Sequence, residues 1–252
     1  MQALREMVYL NCVNFQGLQF IHKQHVAHRY DRYFFISTHK SHFFRDISVL
    51  NVLMDGSMYP DGWHPCSRRY IRDNILHLAK HFSRTERPPK YYFIDFGISR
   101  RYGPEDKAPL ELSIRGGDKT VPEFVDDINL SRNPFQTDIY YLGNLIREAV
   151  IDVSDEASSL LPVSHHCTSQ EYKGFDFMQP LISDMVQDDP AKRPTIDQVV
   201  KRFADVRKKL GTLKLCARVG PRDESFGVVH DFVHLFTTIK YTLKGIPPVP
   251  TR

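Results

Sequence analysis

Apolar residues recur at steps of three or four along four stretches of the chain, and this spacing predicts amphipathic helices. The predicted helices cover residues 3–24, 137–150, 175–186 and 196–210. Thr137 is the expected N-cap of the second helix. Thr195 before the last helix and Gln198 in its first turn follow the pattern of a capping box, in which each side chain binds the other's backbone N–H. Beyond Leu213 the helical period weakens.

Two short apolar stretches favour strands instead. VLNVLMD (49–55) and KYYFIDFG (90–97) are rich in β-branched and aromatic residues. The long connection 56–90 between them opens with turn residues, ends at Pro88-Pro89, and predicts a further helix over 70–82. The expected fold is therefore mainly α, within the α+β class, with a short β-hairpin.

Composition narrows the functional classes. The 252 residues are 41% hydrophobic and 25% charged, with a net charge of +4, which is too mild to indicate nucleic-acid binding. The four cysteines lie far apart without a CxxC pair, which argues against a zinc ribbon or a disulfide scaffold. No leader-like start and no apolar run of about 18 residues is evident. We expect a cytoplasmic or nuclear protein that does not associate with membranes.

Three polar residues carry the chemistry that the sequence suggests. Asp46 is followed five residues later by Asn51, at the start of one predicted strand, and Asp95 ends the other. Phosphoryl transfer needs a carboxylate near the nucleophile, together with carboxylate and amide oxygens that hold Mg²⁺. These residue types fit that need. The alternative is that both aspartates are ordinary loop acids.

The order of these residues resembles the C-terminal lobe of eukaryotic protein kinases over about residues 3–210. The matching motifs are His28-Arg29 and Asp46 to Asn51 (a divided HRD-x4-N), Asp95-Phe96-Gly97, Val121-Pro122-Glu123, Asp138 to Gly143 (DIYYLG) and Arg193 in DDPAKRPT. Within the family the chain looks most similar to divergent fungal kinase-like proteins.

The resemblance implies an ATP-dependent transfer of phosphate to protein hydroxyls. Asp46 would be the catalytic base, and Asn51 and Asp95 would be the Mg²⁺ ligands. Leu53 would form the floor beneath the adenine of ATP. Ser48 stands near the phosphates, where the family has a lysine. The expected cofactors are thus ATP and Mg²⁺, and the expected partners are the nucleotide and a protein substrate.

The resemblance also implies structural roles around this site. Glu123 and Arg193 would form a buried ion pair, and Asp138 would bind the backbone of the catalytic loop. Further structural positions are His28, Arg29, Arg45, Phe96 and Gly97.

Several departures from the family make activity doubtful. Ser48 removes a positive charge from the phosphate site, and Gly116 and Lys119 differ from the usual activation-segment residues. We find no Gly-rich loop or VAIK-like strand, so the N-terminal lobe is expected to be missing and nucleotide binding to be weak. The alternative functions are a catalytically silent pseudokinase, which binds a protein partner over its exposed surface, and a truncated gene product.

Residues 30–45 interrupt the catalytic motif. Removing them restores VAHRDISVLNVL, and codons for Arg-Tyr and Phe-Phe-Arg can contain the donor and acceptor of an intron. A retained intron is therefore one hypothesis, and a genuine insertion that places Arg45 beside Asp46 is the other. Mature transcripts that uniformly retain these codons would exclude the intron. The chain is divided into a kinase-like region, 1–213, and a C-terminal extension, 214–252, expected to be partly disordered.

Overall fold

The computed structural model describes residues 2–29, 52–106, 108–112, 121–126, 129–147, 174–220 and 227–249. In these ranges helices combine with small antiparallel sheets, which confirms the α+β class. The helices are α1 (Leu4–Lys23), α2 (Pro122–Asp126), α3 (Pro134–Ile146), α4 (Gln179–Met185), α5 (Ile196–Lys209), α6 (Thr212–Leu215) and α7 (Gly227–Leu243). The strands are β1 (Gln2–Ala3), β2 (Val26–Ala27), β3 (Val52–Met54), β4 (Tyr70–Ile71), β5 (Asn74–Leu78), β6 (Tyr91–Phe93), β7 (Arg100–Arg101) and β8 (Arg218–Val219).

The core forms where α1 meets α3, α4 and α5. Helix α1 buries apolar residues along most of its length and packs closely on α5. Phe15 of α1 meets Phe203 of α5 edge to face, with ring centroids 5.0 Å apart. Helices α3 and α4 approach closely at Gly143, where an added Cβ would lie 2.7 Å from the Cβ of Met185. This position therefore requires glycine for a steric reason.

Two predicted helices begin at other residues than expected. Helix α3 starts at Pro134, and its N-cap is Asn133, whose side chain accepts a hydrogen bond from the backbone N–H of Phe135. Asn followed by Pro is a stronger start than Thr137, which lies within the first turn. Helix α4 begins only at Gln179, after turns in which Phe175 is nevertheless buried.

The capping box before α5 is present as predicted. The hydroxyl of Thr195 accepts from the backbone N–H of Gln198, and the Gln198 side chain accepts from the backbone N–H of Thr195. Val199 and Phe203 are buried on the inner face of this helix. The extent of α1 also agrees with the sequence to within a residue at each end.

The predicted helix over 70–82 is wrong. Strands β4 and β5 form an antiparallel hairpin there, and Ile71 pairs with Asn74 across its turn. The Asn74 side chain accepts from the backbone N–H of Leu76, a local bond that competes with helix formation. Leu76 and Leu78 of this hairpin are 83% and 63% exposed.

The expected hairpin is formed by β3 and β6. Their register pairs Val52 with Phe93, Leu53 with Tyr92 and Met54 with Tyr91, and the strands are shorter than the sequence indicated. The backbone N–H of Asp55 donates to the carbonyl of Lys90, which closes the hairpin around the long connection.

The C-terminal region contains a helix that was not predicted, although apolar residues recur there at helical spacing. Helix α7 spans 17 residues, Gly227–Leu243. Before it, β8 pairs with β1 near the start of the chain, and after it Val249 packs against the core. The region 214–249 is thus joined to the rest of the fold wherever the structure describes it.

Candidate active site

The site is organised where the chain leaves α1 and enters β2. Strand β2 pairs with β7, so that Ala27 lies opposite Arg100. His28 and Arg29 follow β2 directly. The pairing brings these two residues beside the segment that links β6 to β7, which contains Asp95, Phe96 and Gly97.

Asp138 of α3 holds the backbone of this turn. One carboxylate oxygen accepts from the N–H of His28 at 2.7 Å, and the other accepts from the N–H of Arg29 at 2.8 Å. Arg29 has a φ of 60°, a conformation that is uncommon for a residue with a side chain. The buried carboxylate stabilises this conformation because it satisfies two successive backbone donors. The contact predicted for Asp138 is present.

His28 connects the turn to the Asp95 segment. Its ring is almost fully buried, and Nε2 lies 3.0 Å from the carbonyl oxygen of Ile94. Since a carbonyl only accepts, Nε2 carries the proton. The ring also packs edge to face on Phe96, with centroids 4.8 Å apart, and the Ser99 hydroxyl donates to the His28 carbonyl. Burial lowers the pKa of His28, and this effect outweighs the attraction of the Asp138 carboxylate.

Asp95 lies at the surface, two residues after the end of β6. Its φ is 59°, and the N–H of Gly97 donates weakly to its carboxylate at 3.4 Å. The hairpin next to it presents apolar surface, since Leu53 and its cross-strand partner Tyr92 are 49% and 51% exposed. Side chains at paired positions of antiparallel strands share one face. An exposed carboxylate therefore adjoins a hairpin with a half-exposed apolar pair.

Four predicted residues fall outside the described ranges: Arg45, Asp46, Ser48 and Asn51. The proposed base and one of the two proposed Mg²⁺ ligands thus stay predictions. Among the residues that are described, no group of three or more His, Cys, Asp or Glu side chains could hold a metal ion.

The predicted ion pair between Glu123 and Arg193 is present and buried. Nη1 of Arg193 donates to Oε1 at 2.7 Å and Nη2 donates to Oε2 at 2.5 Å, with the two side chains 2% and 0% exposed. Nε of Arg193 donates to the carbonyl of Gln187, and the Thr137 hydroxyl donates to Glu123. The guanidinium also lies over the ring of Tyr140. This pair ties α2 to the segment between α4 and α5.

Two residues that contact the site, His22 and Glu111, belong to none of the sequence motifs. Nε2 of His22, in the last turn of α1, lies 3.0 Å from the Asp138 carboxylate. Glu111 contacts two arginines, since Nη2 of Arg29 lies at 3.8 Å and Nη1 of Arg100 at 2.6 Å from its carboxylate. The helical period predicted that residue 22 lies in α1, but the tertiary partner of its polar side chain could not be read from that period.

No protein-family model matches this chain, and no curated protein matches it either. Among the described helices, none combines the length and the apolar content needed to cross a bilayer.

We expect Arg193→Met to lower the free energy of unfolding by about 3–5 kcal/mol, because it leaves the Glu123 carboxylate buried without its partner. Arg202→Met is the matched control, since Arg202 pairs with Asp184 at the same 2.5 Å but with both side chains over 40% exposed. That variant should lose at most about 1 kcal/mol. Urea denaturation of both variants tests this. Equal losses would show that burial of the Glu123–Arg193 pair has no special energetic weight.

We expect stability to fall as the pH drops below about 6.5, with His28 as a contributor. Because the folded-state pKa of His28 is lowered, the unfolded chain takes up its proton first, which favours unfolding. The contribution of His28 to the free energy of unfolding is fully present above the pKa of the unfolded state. It decreases as the pH falls toward the lower pKa of the folded state. His28→Gln keeps a donor for Ile94 and should flatten the profile.

The measurement is urea denaturation between about pH 7.5 and pH 5. His77→Gln is the control, because His77 is exposed on β5. It should keep the pH profile of the unmodified chain. An unchanged slope in His28→Gln would contradict the assignment.

Proposed function

We propose that the chain forms the C-terminal lobe of a protein-kinase-type phosphotransferase, which transfers the γ-phosphoryl group of MgATP to a protein hydroxyl. The observation that carries the proposal is the contact of Asp138 with two successive backbone N–H groups, at His28 and Arg29. In the motif order, the catalytic base Asp46 follows this turn. A base must be held in place to accept a proton, and a buried carboxylate behind its loop serves that need.

The buried pair of Glu123 and Arg193 supports the same proposal. A kinase needs a rigid support beneath the segment that receives its protein substrate. Glu123 closes the VPE motif, and its bidentate bond to Arg193 joins distant parts of the sequence. Both residues also belong to the motifs that resemble the family.

The surface of Asp95 and the β3–β6 hairpin also suits MgATP. Asp95 offers exposed carboxylate oxygens, and Asn51 directly precedes Val52, whose cross-strand partner Phe93 lies two residues before Asp95. Carboxylate and amide oxygens suit Mg²⁺. Leu53 and Tyr92 offer half-exposed apolar surface on which adenine can lie. When bound, MgATP would supply the phosphoryl group. The chain's own residues would orient it and hold the proton of the accepting hydroxyl on Asp46.

A silent binding module is the second candidate function. Two sequence features favour it: Ser48 in place of a lysine, and residues 30–45 between the two halves of the catalytic motif. Misplacement of a base by about 1 Å can reduce the rate about 100-fold. The two candidates differ in phosphoryl transfer and share the nucleotide surface. A radiolabelled-ATP assay with generic protein substrates distinguishes them.

For either candidate we expect weak, Mg²⁺-dependent binding of ATP, with a Kd of roughly 1 mM. The half-exposed pair Leu53 and Tyr92 offers adenine one face of a pocket only. Asp95→Ala should weaken binding at least about tenfold, because it removes a ligand of the cation. Titration followed by NMR measures this weak affinity.

Asp106→Ala is the matched control, because Asp106 is an exposed aspartate in a turn after β7. It should bind like the unmodified chain. The nucleotide site is wrong if Asp95→Ala binds equally well, or if ATP does not bind at about 10 mM with Mg²⁺ present.

A further inference from the structure

Helix α7 turns polar side chains toward the protein. Asp231 accepts from Nε of Arg218 at 2.7 Å, and Nε2 of His234 donates to the carbonyl of Cys216 at 2.8 Å. Tyr241 is buried, and its hydroxyl lies 2.8 Å from the hydroxyl of Ser83. A surface helix normally packs its apolar face inward. Here specific polar contacts hold the helix in place.

The opposite face of α7 is apolar and exposed. Its members are Val228, Val229, Phe232, Val233, Leu235, Phe236, Ile239 and Leu243, each between 47% and 83% exposed. With a rotation of about 100° per residue, these eight side chains occupy one continuous arc of roughly 160°. We call this set the α7 apolar face. Within α7 it has no acidic member, and Lys240 lies inside the arc, between Val229 and Val233.

We propose that the α7 apolar face binds the same face of a second copy of this chain. Eight large side chains, each about half exposed or more, present on the order of 800 Å² of apolar surface. That is about what each partner contributes to a stable protein interface, and it exceeds the largest apolar patch of a typical monomer. Area of this size, confined to one straight helix, is what a symmetric helix pair needs.

The distribution of charge on α7 favours a second copy of the chain over a membrane surface or a charged peptide. A helix that lies on a membrane has lysines and arginines along its polar side, whereas the polar side of α7 faces Arg218, Cys216 and Ser83 of its own protein. A charged peptide would need several complementary charges, and Lys240 is the one charged side chain within the arc of the α7 apolar face. An apolar surface with so little charge is complementary to itself.

A two-fold axis can relate the two α7 helices as an antiparallel pair. In such a pair the same patch of both subunits meets, and residues near the centre of the patch meet their own copies. The α7 apolar face runs from Val228 to Leu243, so Phe236 lies near its centre. The helix is about 25 Å long, which allows Phe232 of one copy to pack beside Ile239 of the other.

The test is sedimentation equilibrium of the full chain over a range of concentrations. The unmodified chain should be a dimer, and Phe236→Glu should weaken dimerisation at least about 100-fold, because two carboxylates would meet at the axis. Phe20→Glu is the matched control, since Phe20 is 66% exposed on α1. It should dimerise normally. Both positions are exposed, and circular dichroism checks that each variant keeps its helix content.

A mixing experiment tests the symmetry. Phe236→Lys should also be monomeric, and an equimolar mixture with Phe236→Glu should form heterodimers, because opposite charges then meet. A monomeric unmodified chain overturns the proposal, including a monomer that binds vesicles of phosphatidylcholine and phosphatidylserine. A Phe236→Glu variant that still dimerises overturns it as well. A mixture that stays monomeric overturns the contact of residue 236 with its own copy.

Discussion

The carboxylate of Asp138 is the interaction on which the rest of the site depends. A buried negative charge is costly unless its oxygens are satisfied, and here they receive the backbone N–H groups of His28 and Arg29. The helix that carries Asp138 is fixed in turn by its packing on α4 at Gly143. The packing of α3 therefore fixes the position of Asp138, and Asp138 holds the backbone turn after β2. The ring of His28, in that turn, contacts Ile94 and Phe96 next to Asp95.

The Glu123–Arg193 pair also satisfies a buried carboxylate, but with a different kind of donor. Asp138 is satisfied mainly by backbone donors close to one another, whereas Glu123 is satisfied by a guanidinium that comes from far along the chain. The bidentate geometry restricts both the distance and the angle between α2 and the segment before α5. Thr137 links the two sites, because its hydroxyl donates to Glu123 and it directly precedes Asp138 in the sequence. One turn of α3 thus contributes to both anchoring points.

The resemblance to protein kinases implied the buried pair of Glu123 and Arg193, which the structure contains. Neither side chain would be stable if it were buried alone. The strong period predicted α1 and α5. The helix predicted over 70–82 has no buried face, because Leu76 and Leu78 are exposed in the β4–β5 hairpin. His22 could not be identified, since its role lies in a partner 116 residues away. Helix α7 was not predicted, although its apolar residues recur at helical spacing.

Burial separates two kinds of charged residue in this molecule. Asp138, Glu123 and Arg193 are enclosed and satisfied, so their charges stabilise the fold and cannot meet a ligand. Asp95 is exposed at the end of a strand, with one weak contact to Gly97. A carboxylate in that position stays hydrated and can exchange its water for a cation at little cost, whereas a buried one cannot. Asp138 and Glu123 thus differ from Asp95, the residue proposed to bind Mg²⁺, in burial and not in chemical type. Sequence motifs identify all three residues, and burial separates the two structural carboxylates from the proposed ligand.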